Sequence, residues 1–333
     1  MNIRTTRSDL AGIQADALAI AIADTSELSE LDSAFDGTLL SYLKERAFTA
    51  SAGSVHTLPT LGRIDARTLI IAGTGGTDAG RLAAAGAIGY AARDAKAADL
   101  AVSFGDLGDA AEDVIETLGA GNYRYETYRK EDARKPAIES LTLVGTDLAD
   151  GAADRANKRI AAQSNARDLV NAPPADLYPE TLADAARKLA DIPNVEVEVV
   201  DFEECKKRGY VGIVAVGQGS DKPGCLIHIK YRPPGAKAHL ALVGKGVTFD
   251  AGGLSLKPSS GMQTMRCDMG GAATMLATTQ AVASLGVPVA LDTFLGAVEN
   301  MVNGNSFKLG DILTYRNGVT VEIHNTDAEG RLV

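Results

Sequence analysis

Apolar and polar positions along the chain fall into two recurring patterns. Short apolar runs that stop at Asp or Gly, "ADALAIAIAD", "RTLIIAGTG", "DLAVSFG" and "IESLTLVG", read as buried strands. The Ala-rich "AGRLAAAGAIGYAARDAKA" and the periodic "DAAEDVIETLGAG" between them read as helices. Strands alternating with helices predict an α/β layer with a mostly parallel sheet over residues 1–150. The stretch "ADGAADRANKRIAAQSNARDLVNAPP" then reads as one long helix with a polar face, stopped by Pro173 and Pro174. It predicts a connecting segment over 151–172 between two domains, the second covering 173–333.

A second α/β series follows. "YPETLADAARKLADI" predicts a helix with Pro179 near its start, where a missing N–H costs nothing. "VEVEVVD", "GIVAVGQGS", "CLIHIKYR" and "HLALVGKGV" predict strands, and "VPVALDTFLGAVEN" begins as one. "GGAATMLATTQAVASLG" predicts a helix ended by Gly286. "DILTYRNGVTVEIHNTD" predicts a hairpin about Asn317 and Gly318. The chain has no internal repeat and no low-complexity tract.

Composition narrows the partners. With a net charge of −10, the chain is a poor match for nucleic acid or an anionic membrane, either of which wants a basic face. Cys205, Cys225 and Cys267 are widely spaced, odd in number and without a CxxC pair, so they read as reduced thiols, each a small apolar packing residue. Arg4 and Arg7 precede "ALAIAIA" in the manner of a leader peptide, but Asp9 and Asp16 interrupt the approach, and the run reads better as a strand. No run reaches transmembrane length. A cytoplasmic protein is expected.

Two glycine-rich stretches are weak signals. "GTGGTDAG" follows a strand and opens a helix, but Asp78 stands where a dinucleotide-binding fingerprint needs its third Gly. "VGKGVT" lacks the spacing of a phosphate loop. The segment "KGVTFDAGGLSLKPSSGMQTMRCD" carries more chemistry. A Val- and Leu-rich strand is expected to deliver Lys245 to its C-terminal end, followed by Asp250, Lys257 and Asp268. In open α/β sheets ligands gather at such ends. Asp327 and Glu329, near the end of another strand, raise the set to four carboxylates, two lysines and Arg331. Four crowded carboxylates need counter-charge. The cations present could supply it as a structural ion cluster; two divalent metals holding an activated water could supply it better. Gly252, Gly253, Gly270 and Gly271 would let backbone approach a ligand. The histidines read as structural: His324 is near the set but not within it, and His56, His228 and His239 lack metal-ligand spacing. Oxygen-rich ligation suits zinc, manganese, magnesium or cobalt.

The motifs "VGKGVTFDAGGLSLKP", "MRCDMGGAATM" and "NTDAEGRL", with "VGQGS" and "NARDLVNAPPADLYPETLA", closely resemble those of the leucyl aminopeptidase (cytosol aminopeptidase) family of dinuclear metallo-exopeptidases. The resemblance covers residues from about 160 to 333 well; the first 150 match only in general layout. It implies an N-terminal macro-like α/β domain and an α/β catalytic domain with a central mixed sheet. Carried over by position, it implies that Asp250 and Glu329 bridge two metals, that Lys245 and Asp268 complete the tighter site, and that Asp327 completes the more exchangeable one. Lys257 and Arg331 become the catalytic pair, and Met265 a wall of the pocket for the substrate's first side chain. A lysine ligates only as a neutral amine, so in this role Lys245 needs a pKa strongly depressed by burial and adjacent cations. Lys257 is expected to stabilise the oxyanion, and Arg331 to hold a bicarbonate that moves a proton. An alternative for Arg331 is a counter-ion to Asp327.

The implied function is release of N-terminal, leucine-like residues from peptides with a free N-terminus, using two manganese or zinc ions, in a homohexamer. In that family the catalytic domain runs well beyond "NTDAEGRL", so the chain is expected to be C-terminally incomplete and, as it stands, poorly active. Two other classes compete: a non-catalytic or DNA-binding family member, which the acidic balance opposes, and a two-metal phosphoesterase built on the same carboxylates.

Overall fold

The computed structural model describes residues Met1–Val333 as two compact units, Met1–Ala161 and Ala162–Val333. The first contains β1 (Asn2–Thr6), β2 (Ala17–Ile22), α1 (Ser29–Ala34), α2 (Leu39–Glu45), β3 (Val55–Pro59), β4 (Thr68–Gly73), α3 (Asp78–Asp94), β5 (Asp99–Ser103), α4 (Ala111–Asn122) and β6 (Ser140–Val144). Helix α5 (Ala152–Asn171) contains the division between the units.

The six strands of the first unit run in the order β1-β6-β5-β2-β4-β3, parallel at every pairing except β3 with β4. Strand β2 shows why its run is apolar throughout. Side chains alternate across a strand, and Ala17, Ala19 and Ala21 enter one core while Leu18, Ile20 and Ile22 enter the other. The alanine face meets Ala84, Ala85 and Ile88 of α3 and Val114 and Leu118 of α4. The bulky face meets Leu31 of α1 and Leu39 and Leu43 of α2. Small residues thus face a closely packed, Ala-rich helix pair, and large ones fill the other layer.

The second unit continues with α6 (Pro179–Arg187), β7 (Val195–Val200), α7 (Phe202–Arg208), α8 (Val211–Gly217), β8 (Cys225–Tyr231), β9 (His239–Asp250), α9 (Ser259–Met262), α10 (Gly270–Ser284), β10 (Ala290–Asn300), β11 (Ile312–Thr314) and β12 (Thr320–Glu322). Its sheet is mixed, ordered β7-β8-β10-β9: β8 pairs antiparallel with both neighbours, and β10 pairs parallel with β9. Ile227, Ile229 and Tyr231 face Leu182 of α6 and Leu276 of α10. Val247 and Val298 face Cys205 of α7 and Ile213 and Val216 of α8. Strands β11 and β12 form the expected hairpin, turning through Gly318 at φ 82°. Gly286, just past α10, takes φ 66°.

One expected strand is a helix. "GIVAVGQGS" contributes α8, not a strand. A short apolar run has no decisive period, so β-branched preference yields to packing. Here Gly212 meets the turn before the last residue so closely that a Cβ would fall 1.7 Å from the Leu332 carbonyl oxygen. Strand β9 is also longer than expected: Lys245 lies within it, and the strand runs on to Asp250. No helix is long and apolar enough to cross a membrane.

Candidate metal centre

Strand β9 carries two of the site residues by means of an irregularity. Lys245 pairs with Gly296 and Asp250 with Asn300, so five residues of β9 match four of β10. The shift falls between Val298 and Glu299 and leaves Thr248 unpaired, its hydroxyl donating to the Val298 carbonyl at 3.2 Å. On a regular strand, residues five apart face opposite ways. The bulge inserts one residue and turns Asp250 to the face that Lys245 already occupies.

The remaining residues arrive from three turns. The loop after β9 closes on itself when Lys257 N–H donates to the Ala251 carbonyl at 3.0 Å, which brings the Lys257 side chain back over the strand end. Asp268 ends a 3-10 turn, Met265–Cys267, just before α10. Asp327 and Glu329 lie on the 3-10 turn Thr326–Arg331, which Asn325 caps by accepting from Asp327 N–H at 2.8 Å.

These residues meet in four ion pairs, two at each lysine. Lys245 Nζ is 2.8 Å from Asp268 Oδ2 and 2.8 Å from Glu329 Oε1. Lys257 Nζ is 2.6 Å from Asp250 Oδ2 and also contacts Asp327 Oδ1. Carboxylate oxygens of Asp250, Asp327 and Glu329 lie within 4.8 Å of one another. Asp250 and Glu329 are buried, and Lys257 is 15% exposed. Four carboxylates against two lysines leave the cluster short of positive charge.

The pKa directions follow from that crowding. Burial pushes the Asp268 carboxyl up, and the charges of Asp250 and Glu329 add to it against the pull of Lys245. Burial would lower Lys245, but its contacts with Asp268 and Glu329 outweigh this and hold it above the ordinary lysine value. Lys245 here serves as counter-charge to two carboxylates, so it can act as a neutral ligand only once other cations neutralise them.

The donor set fits divalent cations. Glu329 Oε2 is buried without a hydrogen-bond partner, and Asp268 Oδ2 has its lysine contact but no well-directed hydrogen bond. A buried, unpaired carboxylate oxygen is costly unless a cation or donor meets it. Hard oxygen donors in this number suit manganese, magnesium or zinc.

The other candidates separate clearly. Arg331 is exposed at the end of its turn, and Asp327 pairs with Lys257, so the counter-ion alternative for Arg331 is not what the structure adopts. Met265 is half-buried at the head of the turn that ends at Asp268. His324 is exposed beside Glu322, outside the cluster. Cys205 and Cys225 are buried as expected, but Cys267 is exposed. A cleft of about 690 Å³ lies elsewhere, lined by Tyr210, Phe294, Tyr315, Leu332 and Val333, and none of the cluster carboxylates borders it.

Two features escaped the sequence reading. Asn300, fully buried at the end of β10, donates to Asp250. On a different stretch of the sheet, Asp292 accepts from Arg232 at 2.7 Å and lies within hydrogen-bond reach of both His228 and His239. In sequence these four residues are scattered; only the pairing of β8, β9 and β10 collects them.

The fold agrees with known proteins. Residues 164–333 match the cytosol aminopeptidase family's catalytic domain and residues 19–132 its N-terminal domain. The chain belongs to the cytosol aminopeptidase family. It is 36% identical to a probable cytosol aminopeptidase of Nostoc punctiforme, over all of this chain and 71% of that protein. It is 42% identical to one of Micrococcus luteus, over 84% of this chain and 58% of that protein. Among solved structures, a mutant of tomato leucine aminopeptidase superposes with TM-score 0.85 and 28% identity, covering 100% of this chain and 69% of that one. The bottromycin maturation enzyme BotP in complex with Mn superposes with TM-score 0.79 and 31% identity, covering 96% and 67%.

Proposed function

We propose that this chain carries the catalytic centre of a metal-dependent aminopeptidase that releases leucine-like N-terminal residues from peptides. The observation that carries this is the cluster itself: Asp250, Asp268, Asp327 and Glu329 crowded around Lys245 and Lys257, with a buried oxygen of Glu329 left unpaired. Membership of the family and the manganese in the BotP structure support a divalent metal.

In this reading Lys245, Asp250, Asp268, Asp327 and Glu329 would hold the cations. A pair of divalent cations supplies Lewis acidity toward a peptide carbonyl and lowers the pKa of water toward neutrality. The chain's own residues supply the rest. Lys257, held between Asp250 and Asp327 and mostly shielded from solvent, presents a fixed ammonium to charge developing on the carbonyl oxygen. Arg331, exposed on the same turn as Asp327 and Glu329, is the group proposed to hold a bicarbonate. Met265 is the proposed wall for the first side chain. The proposed assembly is a homohexamer, which sedimentation would test.

The test is hydrolysis of leucine p-nitroanilide with added manganese, beside the N-acetylated substrate. Turnover of the free amine alone supports the reading. Cleavage of both, or hydrolysis of a phosphodiester in place of either, overturns it.

A further inference from the structure

Asp250 is gripped on one side only. Its Oδ1 accepts from Gly252 N–H at 2.8 Å and from Asn300 Nδ2 at 2.8 Å. Its Oδ2 is left to the cluster, where Lys257 meets it at 2.6 Å. The orientation of the Asn300 amide is unambiguous, because the second partner of Nδ2 is the Thr326 carbonyl, at 3.0 Å. One buried amide therefore ties the end of β9 to the turn that carries Asp327 and Glu329.

Thr326, also fully buried, makes the second tie. Its hydroxyl donates to the Gly252 carbonyl at 2.6 Å and accepts from Ser255 N–H at 2.8 Å. The return bond runs from Thr326 N–H to Ser255 Oγ at 3.2 Å. Three contacts thus lock the loop leading to Lys257 against the turn leading to Asp327. The fit is close: Gly253 has φ 63°, and a Cβ there would fall 2.8 Å from Asn300 Oδ1 and 3.0 Å from Thr326 Oγ1.

We propose that Asn300 and Thr326 are positioning residues that set the cation-binding carboxylates before any cation arrives, Asn300 by fixing which oxygen of Asp250 faces the cluster and Thr326 by joining the two ligand-bearing segments. This rests on the two-cation reading above. Neither residue is a ligand; each acts through Asp250, Asp327 and Glu329. A polar pair sealed from solvent could instead serve stability alone, and the two roles differ in what they change. Ligand-orienting partners typically govern metal affinity by 10–100-fold. A purely structural pair changes the melting temperature and leaves the affinity of the folded protein intact.

The experiment is calorimetric titration of manganese into the full chain and into Thr326→Val, Thr326→Ser and Asn300→Ala, with folding checked by circular dichroism. Thr326→Val keeps the shape and loses the hydroxyl; Thr326→Ser keeps the hydroxyl. Affinity should fall about 10–100-fold in Thr326→Val and Asn300→Ala and return in Thr326→Ser. Should Asn300→Ala not fold, the two Thr326 variants decide the matter. Folded Thr326→Val that binds manganese as the parent does overturns the positioning role. A parent chain that binds no manganese overturns the two-cation reading itself.

Discussion

Lys245 occupies the space that a side chain at residue 330 would need: a Cβ built on Gly330 falls 2.7 Å from Lys245 Cδ and 2.9 Å from its Nζ. The "AEGR" glycine is thus a cradle for the lysine of β9. The obstructed group is the far end of a flexible side chain, so Gly330→Ala should shift Lys245 and not the backbone, at a cost of about 1–3 kcal/mol for the buried carboxylates that lose their counter-charge. It should displace Lys245 from Glu329 and Asp268 and weaken manganese binding by about 10–100-fold. Melting curves with and without manganese check this: a modestly lowered melt without the ion, and a smaller rise with it than the parent shows.

Lys257 neutralises Asp250 and Asp327. Lys257→Met leaves those two carboxylates facing each other and should lower stability by about 1–3 kcal/mol. Manganese should restore most of that loss by mass action, while turnover stays down by about 10²–10³-fold. Denaturant melts of both proteins, with and without manganese, separate the two effects.

Asp292 sets a pH dependence away from the centre. Burial would raise its pKa, but hydrogen bonds from Arg232, His228 and His239 outweigh that and hold it well below the usual carboxylate range. A depressed carboxylate contributes stability in full above its unfolded value of about 3.9 and loses it as pH falls toward the folded value. Asp292→Asn should therefore lower stability by about 1–3 kcal/mol near neutral pH. The gap should narrow below pH 4. A gap that widens on acidification would contradict the sign.

The cysteines should react unequally. Burial pushes the Cys225 thiol up to about 12 and raises Cys205 as well, whereas Cys267 is exposed. Only the thiolate attacks an alkylating reagent. Brief treatment of the native protein with iodoacetamide at pH 8 should label Cys267 alone, as peptide mass spectrometry can show. All three should be labelled in urea.

Much of the fold was legible because its signals are local. Strand β2 is an apolar run six residues long, and α3 is a long Ala-rich helix with Asp78 in its first turn. Elements without a strong pattern were not legible. Strand β1, "NIRTT", is polar and finds its place by pairing with β6, and "GIVAVGQGS" contains a helix although its short apolar run carries no decisive period. The residues that the structure gathers into the cluster were legible through motif resemblance. What aligns them was not: the unpaired Thr248, the amide of Asn300 and the hydroxyl of Thr326 act through register and burial, which no spacing in the sequence records.

The central claim is that Lys245, Asp250, Asp268, Asp327 and Glu329 form one site for two divalent cations. Its most direct test is the manganese stoichiometry of the purified chain, by equilibrium dialysis and elemental analysis, beside Glu329→Gln. Glu329 is the buried carboxylate with an unpaired oxygen. Two manganese ions per parent chain, and fewer than one retained at the same concentration by a folded Glu329→Gln, is the expected result. Equal manganese content in the two proteins, or none in the parent, would contradict the claim.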